Sequence, residues 1–299
     1  MGKQKDDHLH HPHTRFLEVS FSNQKVAVDF IDQFIQEQFS KKLDAKGLRI
    51  QKVSYLTNQL KRRFADVLYE CPYGEGEDKV WLHFLIEHKS QPEPFPYLQF
   101  LEYKLLIWQK QGKKKTPVVP IILYHGEQRW KTRKFEEMFQ GVDENTLRFL
   151  PSFEYILIDL SNYSDEFILN LRRGFLINTL ITLKHFKDKN YIINNIKNVF
   201  SLTLEKHEWR LYEIQFVYIT QNIELSNAEQ IAIVDRVHEP LKEKIMSTYE
   251  ALIQKGEMKK LVDSVLRLYE LGSEIDFIAK AMNISEAEVI AILKKHGKM

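Results

Sequence analysis

Prolines divide this chain more sharply than any other residue type. Eight of its nine prolines lie at or before Pro151, and only Pro240 lies beyond. Proline removes a backbone donor and fixes φ, so it punctuates strands and turns and is rare inside helices. The first half therefore reads as mixed α/β with turns, and the second as helix after helix. The boundary is expected just after a last strand, Tyr155 to Leu160. This gives a leader over 1–14, a core over 15–160 and a helical region over 161–299.

With 299 residues, 43% of them hydrophobic, the chain can bury one large core or a core plus a smaller domain. A single cysteine, Cys71, excludes an intramolecular disulfide and a four-thiolate zinc site. It fits a reducing, cytoplasmic setting. The polar N-terminus lacks the apolar stretch of a signal peptide, and Val118 to Leu123, interrupted by Pro120, is too short to span a bilayer, so no membrane partner is expected. The formal net charge is only +2, so any case for nucleic acid rests on local clusters rather than bulk charge.

Periodicity predicts a helix over Val26 to Phe39 and a short strand over Leu48 to Leu56. Two β-rich runs, Phe64 to Cys71 and Val80 to Glu87, flank the turn-like stretch PYGEGEDK. After Pro92, Pro94 and Pro96 come an amphipathic helix, Tyr97 to Gln111, and a buried strand, Pro117 to Tyr124. The order is αβββαβ, a mixed sheet flanked by helices. Helical patterns follow near 165–185, 188–199, 205–223 and 227–256. Two short helices close the chain, one after Ser273 and one opened by Ser285 with Glu288 at capping-box spacing. In outline they resemble a helix-turn-helix. The second begins with Glu286 and Glu288, where a recognition helix would meet DNA, which favours interaction or dimerisation over groove reading.

The chemistry concentrates in Phe64 to Tyr69 and Phe84 to Ser90. Alternation along the second strand sends Leu82, Phe84 and Ile86 to one face and Glu87 and Lys89 to the other. If Cys71 pairs with Val80, Asp66 opposes Leu85 and shares a face with Glu87, roughly 7 Å away at the backbone. A one-residue slip would separate them. Two carboxylates and a backbone carbonyl, that of His88, suffice for Mg²⁺, which keeps several waters of its own. Such a cation polarises a phosphoryl oxygen and lowers the pKa of bound water. An adjacent lysine orients that water or stabilises charge on the phosphate. Glu-x-Lys alone is common on solvated strand faces, and gains weight here from its apolar strand and the aspartate on the partner strand.

The chain resembles the Rpn/YhgA-like recombination-promoting nucleases, also called PD-(D/E)XK nuclease family transposases, over roughly residues 11 to 140. The resemblance is carried by His13-Thr-Arg-Phe16, Arg63-Phe-Ala-Asp-Val-Leu-Tyr69, Ile86-Glu-His-Lys-Ser90, Tyr103 to Trp108 and Val119-Pro-Ile-Ile-Leu-Tyr-His-Gly126. It implies a restriction-endonuclease-like core and Mg²⁺-dependent cleavage of DNA. Asp66 and Glu87 would be the metal ligands, Lys89 the catalytic lysine, and Mn²⁺ a substitute ion. Ala65 stands where the superfamily name has proline, and Thr14 where many relatives carry aspartate. Gln99 and Tyr103, one helical turn apart, are similar in spacing to a pair that supports substrate near the metal in exonuclease-like branches. The plainer reading makes Tyr103 core and Gln99 surface.

Lys61, Arg62 and Arg63 precede the Asp66 strand and are candidate phosphate contacts. Two further basic clusters, Lys113 to Lys115 and Arg129 to Lys134, add to a candidate DNA-facing surface. Glu18 is a more distant carboxylate. His8 to His13 reads as a solvated leader, His88 and His125 as neighbours of the site, and Cys71 as packing. Three functions stand at this point. They are a metal-dependent endodeoxyribonuclease, a catalytically silent DNA-binding or regulatory module on the same fold, and a helical interaction protein. A homodimer through the helical region accompanies the first.

Overall fold

The structure is a computed structural model that describes residues 12–51, 67–75, 79–172, 174–200, 209–237 and 239–299. The chain divides into two compact units, Met1–His238 and Glu239–Met299.

In the first unit, α1 (Pro12–Phe21) and α2 (Gln24–Phe30) precede the strands. Helix α1 thus starts inside the segment expected as a leader, whose first eleven residues lie outside the described ones. Asn23 begins α2 by accepting from the backbone of Lys25 and Val26, satisfying donors a helix start leaves over. The helix expected to reach Phe39 widens into a π-helix over Ile31–Ile35 and tightens into a 3₁₀ turn over Gln36–Phe39. Left-handed Ser40, at φ 51°, ends it.

Five strands among the described residues form one sheet: β1 (Arg49–Gln51), β2 (Val67–Tyr73), β3 (Val80–Lys89), β4 (Val118–Tyr124) and β5 (Ile156–Asp159). Their spatial order follows the chain, with β1, β2 and β3 antiparallel and β3, β4 and β5 parallel. Helix α3 (Tyr97–Lys110) makes the crossover that a parallel β3–β4 pair requires. The expected mixed α/β sheet with a helical C-terminal region is therefore present.

The hairpin register differs from the expected one. Cys71 pairs with Leu82 rather than Val80, and Leu85 faces Leu68 rather than Asp66. Pro72 and Tyr73, read from sequence as turn, belong to β2 and oppose Trp81 and Val80. Proline fits there because its carbonyl, accepting from Asp44 N at 2.8 Å, is the group the structure uses. The displacement is two residues, an even number, so each side chain of β3 keeps its expected face.

One sheet face carries Leu68, Leu85, Ile122 and Tyr124 and is covered by Tyr97, Phe100, Tyr103 and Ile107 of α3, with Trp130, Phe135 and Tyr155 around them. Full burial of an apolar side chain of this size stabilises by about 1.5–3 kcal/mol. On the other face, Tyr69 donates to Phe21 O at 2.6 Å and Phe84 meets Phe39 edge to face. Helix α4 (Gly174–Lys184) is buried throughout its apolar length and packs against α1, α2 and α5 (Trp209–Asn222). The buried Gln215 of α5 donates to Thr182 of α4 at 2.8 Å. The pattern expected over 165–185 is two helices, Asp165–Leu169 and α4.

In the second unit, α6 (Glu239–Glu270), α7 (Ile275–Met282) and α8 (Glu286–Lys295) enclose Val265, Ile278, Ala279, Val289 and Leu293. Pro240 sits in the first turn of α6, where a missing N–H breaks no helical bond. Left-handed Asn283 ends α7, and Ser285 and Glu288 form the expected capping box on α8. Ser273 is not the cap of α7, whose N-cap is Glu274 and carries no side-chain capping bond. No helix among the described residues is long and apolar enough to cross a membrane.

Candidate active site

Glu87 and Lys89 project from the end of β3 toward α3. Their sheet partners are Ile122 and Tyr124, which line the same α3-covered face. Gln99 stands in the first turns of α3 and bridges both groups. Its Nε2 donates to Glu87 Oε1 at 2.9 Å and its Oε1 accepts from Lys89 Nζ at 3.0 Å. The same amide nitrogen contacts the hydroxyl of Tyr103, one turn along. Tyr103 is therefore both buried in the core and joined to the polar cluster by its hydroxyl. The four residues Glu87, Lys89, Gln99 and Tyr103, singled out separately from sequence, form one hydrogen-bonded group.

Glu93 joins this group without having been singled out. The loop after β3 folds back so that its carboxylate lies 2.8 Å from Lys89 Nζ, while Glu87 Oε1 lies at 3.4 Å. Its i,i+4 spacing from Lys89 carries no signal outside a helix, which is why sequence reasoning passed over it. Burial works against charge on Lys89, but the carboxylates of Glu87 and Glu93 outweigh it and hold the amine above the ordinary lysine pKa. Lys89 is thus a cation at neutral pH. The formal charge of Glu87, Glu93 and Lys89 together is one negative unit, a setting that attracts a further cation.

The backbone at His88 is also placed by the sheet. His83 N donates to Pro117 O and Lys89 O accepts from His125 N, so the odd-numbered residues of β3 bond to β4. The intervening His88 carbonyl then points to the β2 side. The ring of His88 stacks on that of His125 with centroids 5.9 Å apart, on the face opposite Glu87. Gly126 follows in tight quarters, where a Cβ would overlap the Tyr124 hydroxyl and the Ser90 carbonyl. The Tyr124-His125-Gly126 segment therefore backs the end of β3 that carries Lys89.

Asp66, Lys61, Arg62 and Arg63 lie outside the described residues. The described part of β2 begins with Val67 opposite Ile86, the residues that follow Asp66 and precede Glu87 in sequence. Carboxylate and carbonyl oxygens are hard donors, the class Mg²⁺ prefers. The described donors, Glu87 above all, fit such an ion, although no group of three or more His, Cys, Asp and Glu suited to a metal occurs among the described residues.

Glu18 is exposed on α1. Cys71 is buried, and burial followed by the nearby charge of Asp44 pushes its thiol up to about 12, so it is unreactive packing. A second polar chain runs across the same sheet face. Gln51 Nε2 donates to Glu70 Oε2 at 2.7 Å, Glu70 Oε1 lies 2.9 Å from His83 Nε2, and His83 Nδ1 lies 2.6 Å from Thr116 Oγ1. Burial lowers the pKa of His83 despite the charge of Glu70. The expected register hid this pair, since it sets Glu70 opposite Trp81 instead of His83.

Comparison with known proteins finds relatives along most of the chain. The family model for YhgA-like transposases matches residues 11–211. The recombination-promoting nuclease RpnA of Escherichia coli strain K12 is 24% identical over 288 residues, 94% of this chain and 96% of that protein. The inactive recombination-promoting nuclease-like protein RpnE of the same strain is 22% identical over 93% of this chain and 96% of its own. RpnD of E. coli O157:H7, also named a recombination-promoting nuclease, is 22% identical over 60% of this chain and 69% of its own. No solved structure matches. With two thirds of its length matched by that model, the chain belongs to the YhgA-like transposase family.

Proposed function

We propose that the chain is a metal-dependent endodeoxyribonuclease with a restriction-endonuclease-like core. Its site is Asp66, Glu87 and Lys89, with Gln99 and Tyr103 as supports. The observation that carries this reading is the Gln99 bridge, which holds the carboxylate of Glu87 and the amine of Lys89 on one sheet face. Names of the relatives RpnA and RpnD, both nucleases, point the same way.

Mg²⁺, or Mn²⁺ in its place, would be held by Asp66, Glu87 and the His88 carbonyl and would supply Lewis acidity and an acidified water. Lys89, charged at neutral pH, stabilises negative charge that grows on the phosphate as the P–O bond breaks. Gln99 fixes the direction of the Lys89 amine, and Tyr103 fixes Gln99 from the core side. Lys61, Arg62 and Arg63 contact the DNA backbone. The catalytic core spans about residues 15–160 of a cytoplasmic protein, and the helical region, which exposes Leu271 and Phe277, serves as a homodimer contact.

The test is cleavage of supercoiled plasmid with Mg²⁺, abolished by EDTA and by Asp66→Ala. A second reading, a silent DNA-binding module, is favoured by similarity to RpnE, whose name marks it inactive. Binding without cutting under any divalent ion would establish that reading instead.

A further inference from the structure

The segment after Gly126 carries four basic residues that the hydrolytic site does not use. Arg129, Lys131, Arg133 and Lys134 are all exposed, while Trp130 and Phe135 between and after them are buried. Three anchors fix the segment. Tyr124 donates to Gln128 O at 2.6 Å, Trp130 donates to Tyr155 at 3.1 Å while packing on Tyr124, and Tyr97 donates to Arg133 O at 2.7 Å. With Trp130 held inward, Arg129 and Lys131 on either side of it are turned to solvent.

The anchors also locate the segment. Tyr124 is the sheet partner of Lys89, and Tyr97 opens the helix that carries Gln99. The guanidinium of Arg133 lies 5.2 Å from the ring centre of Phe95, two residues after Glu93. The basic segment is thus tied to both walls of the candidate active site, the end of β3 and the start of α3. The distance to Phe95 is within cation–π range and restrains the Arg133 guanidinium, while the side chain stays exposed with its N–H donors open to a phosphate. Of the neighbouring acids, Glu127 pairs with Lys187 at 3.3 Å, away from the segment, and Glu137 accepts from the backbone of Lys134 at 2.8 Å, beyond Arg129, Lys131 and Arg133. Glu136 is the remaining carboxylate in the stretch.

The Lys113 to Lys115 cluster lies at the other end of α3. There Lys115 donates to Gln111 O at 2.9 Å and to Trp108 O, which spends its amine on the last carbonyls of the helix.

We propose that Arg129, Lys131 and Arg133 form a phosphate-binding track that lays duplex DNA across the Glu87–Lys89 site, with Arg133 preset by Phe95. The proposal rests on the nuclease reading for the purpose of the track, but its binding prediction does not need cleavage. The chemistry recognised is the sugar–phosphate backbone, because the segment presents charge along an extended stretch and no helix or ribbon shaped for a groove.

The experiment measures binding of a fluorescein-labelled duplex by anisotropy, without divalent ions, from 50 to 200 mM KCl. The proteins compared are wild type, the triple variant Arg129→Gln/Lys131→Gln/Arg133→Gln, the single variant Lys131→Gln and the control Lys113→Gln/Lys114→Gln/Lys115→Gln. Each lost phosphate contact flattens the plot of log K against log salt by about 0.9, so the triple variant flattens it by about 2.7 and the single variant by about 0.9. The control leaves it unchanged. An unaltered slope in the triple and single variants, an equal loss in the control, or no duplex binding by wild type overturns the track. Flattening without any plasmid cleavage by wild type upholds the track and removes the nuclease reading. Cleavage with an unaltered slope does the reverse.

Discussion

Replacing Gln99 by leucine removes the bridge while keeping most of the side-chain volume. Lys89 loses an acceptor at 3.0 Å and Glu87 loses a donor at 2.9 Å. A hydrogen bond to a charged group contributes about 1.5–3 kcal/mol, and Glu87, only 9% exposed, has little access to replacement water. Part of the loss is offset because Lys89 keeps Glu93 at 2.8 Å and can close its 3.4 Å gap to Glu87. The expected net cost is about 2–3 kcal/mol. For a unit of this size each kcal/mol lowers Tm by about 2–4 °C, so the melt followed by circular dichroism falls by about 4–12 °C. On the nuclease reading proposed above, the plasmid cleavage rate falls about 10–100-fold through kcat, since Lys89 keeps its charge but loses its direction. Gln99→Glu gives a sharper sign. It sets a second carboxylate beside Glu87, the pair shares a proton in the folded state, and stability declines as rising pH removes that proton. A Gln99→Leu protein with unchanged Tm, or a Gln99→Glu protein without that decline, refutes the bridge.

Gly126→Ala is expected to destabilise the first unit by about 2–3 kcal/mol in urea titration, because the new methyl meets Tyr124 and Ser90 and one of them must move. An unshifted midpoint means the β4 end does not back Lys89. Lys104 is buried with its amine 3.9 Å from the Phe153 ring centre, and burial brings its pKa down to about 8. The folded state then binds fewer protons than the unfolded one between about pH 8 and 10.5, so stability rises with pH across that window. After allowing for attraction between the cation and the ring, the rise attributable to Lys104 is about 1–3 kcal/mol, and Lys104→Met abolishes it. Parallel pH profiles of the two proteins would show otherwise. Leu293→Ala removes part of the core of the second unit at a cost of about 2–5 kcal/mol. Amide exchange should quicken in α7 and α8 and not in β3; acceleration in both means the two units unfold together.

The strand carrying Glu87 and Lys89 was legible because it is a β-rich apolar run bounded by turn-like stretches, with those two residues at one end. Val80 as its first residue and the shared face of Glu87 and Lys89 follow from that pattern, whereas the arrival of Gln99 and Tyr103 over them depends on how α3 packs on the sheet. The hairpin register was not legible, because a proline beside two glycines looks like turn whether or not its carbonyl is used by a neighbour. That use depends on Asp44, 28 residues earlier, which no local pattern reports. The same nonlocality concealed the approach of Glu93 to Lys89 and of Glu70 to His83. For the π-helical widening at Ile31–Ile35 the sequence offers no physical reason.

Floor and wall of the candidate site belong to one continuous stretch, from Val80 on β3 to Tyr124 on β4, with α3 between them. The spacer joining floor to wall contains Pro92, Pro94 and Pro96, each of which narrows the routes the backbone can take. This spacer acts as a ruler. Its length decides which turn of α3 arrives over Glu87, so one inserted residue would replace an amide by a neighbour of different chemistry, with every strand left in place.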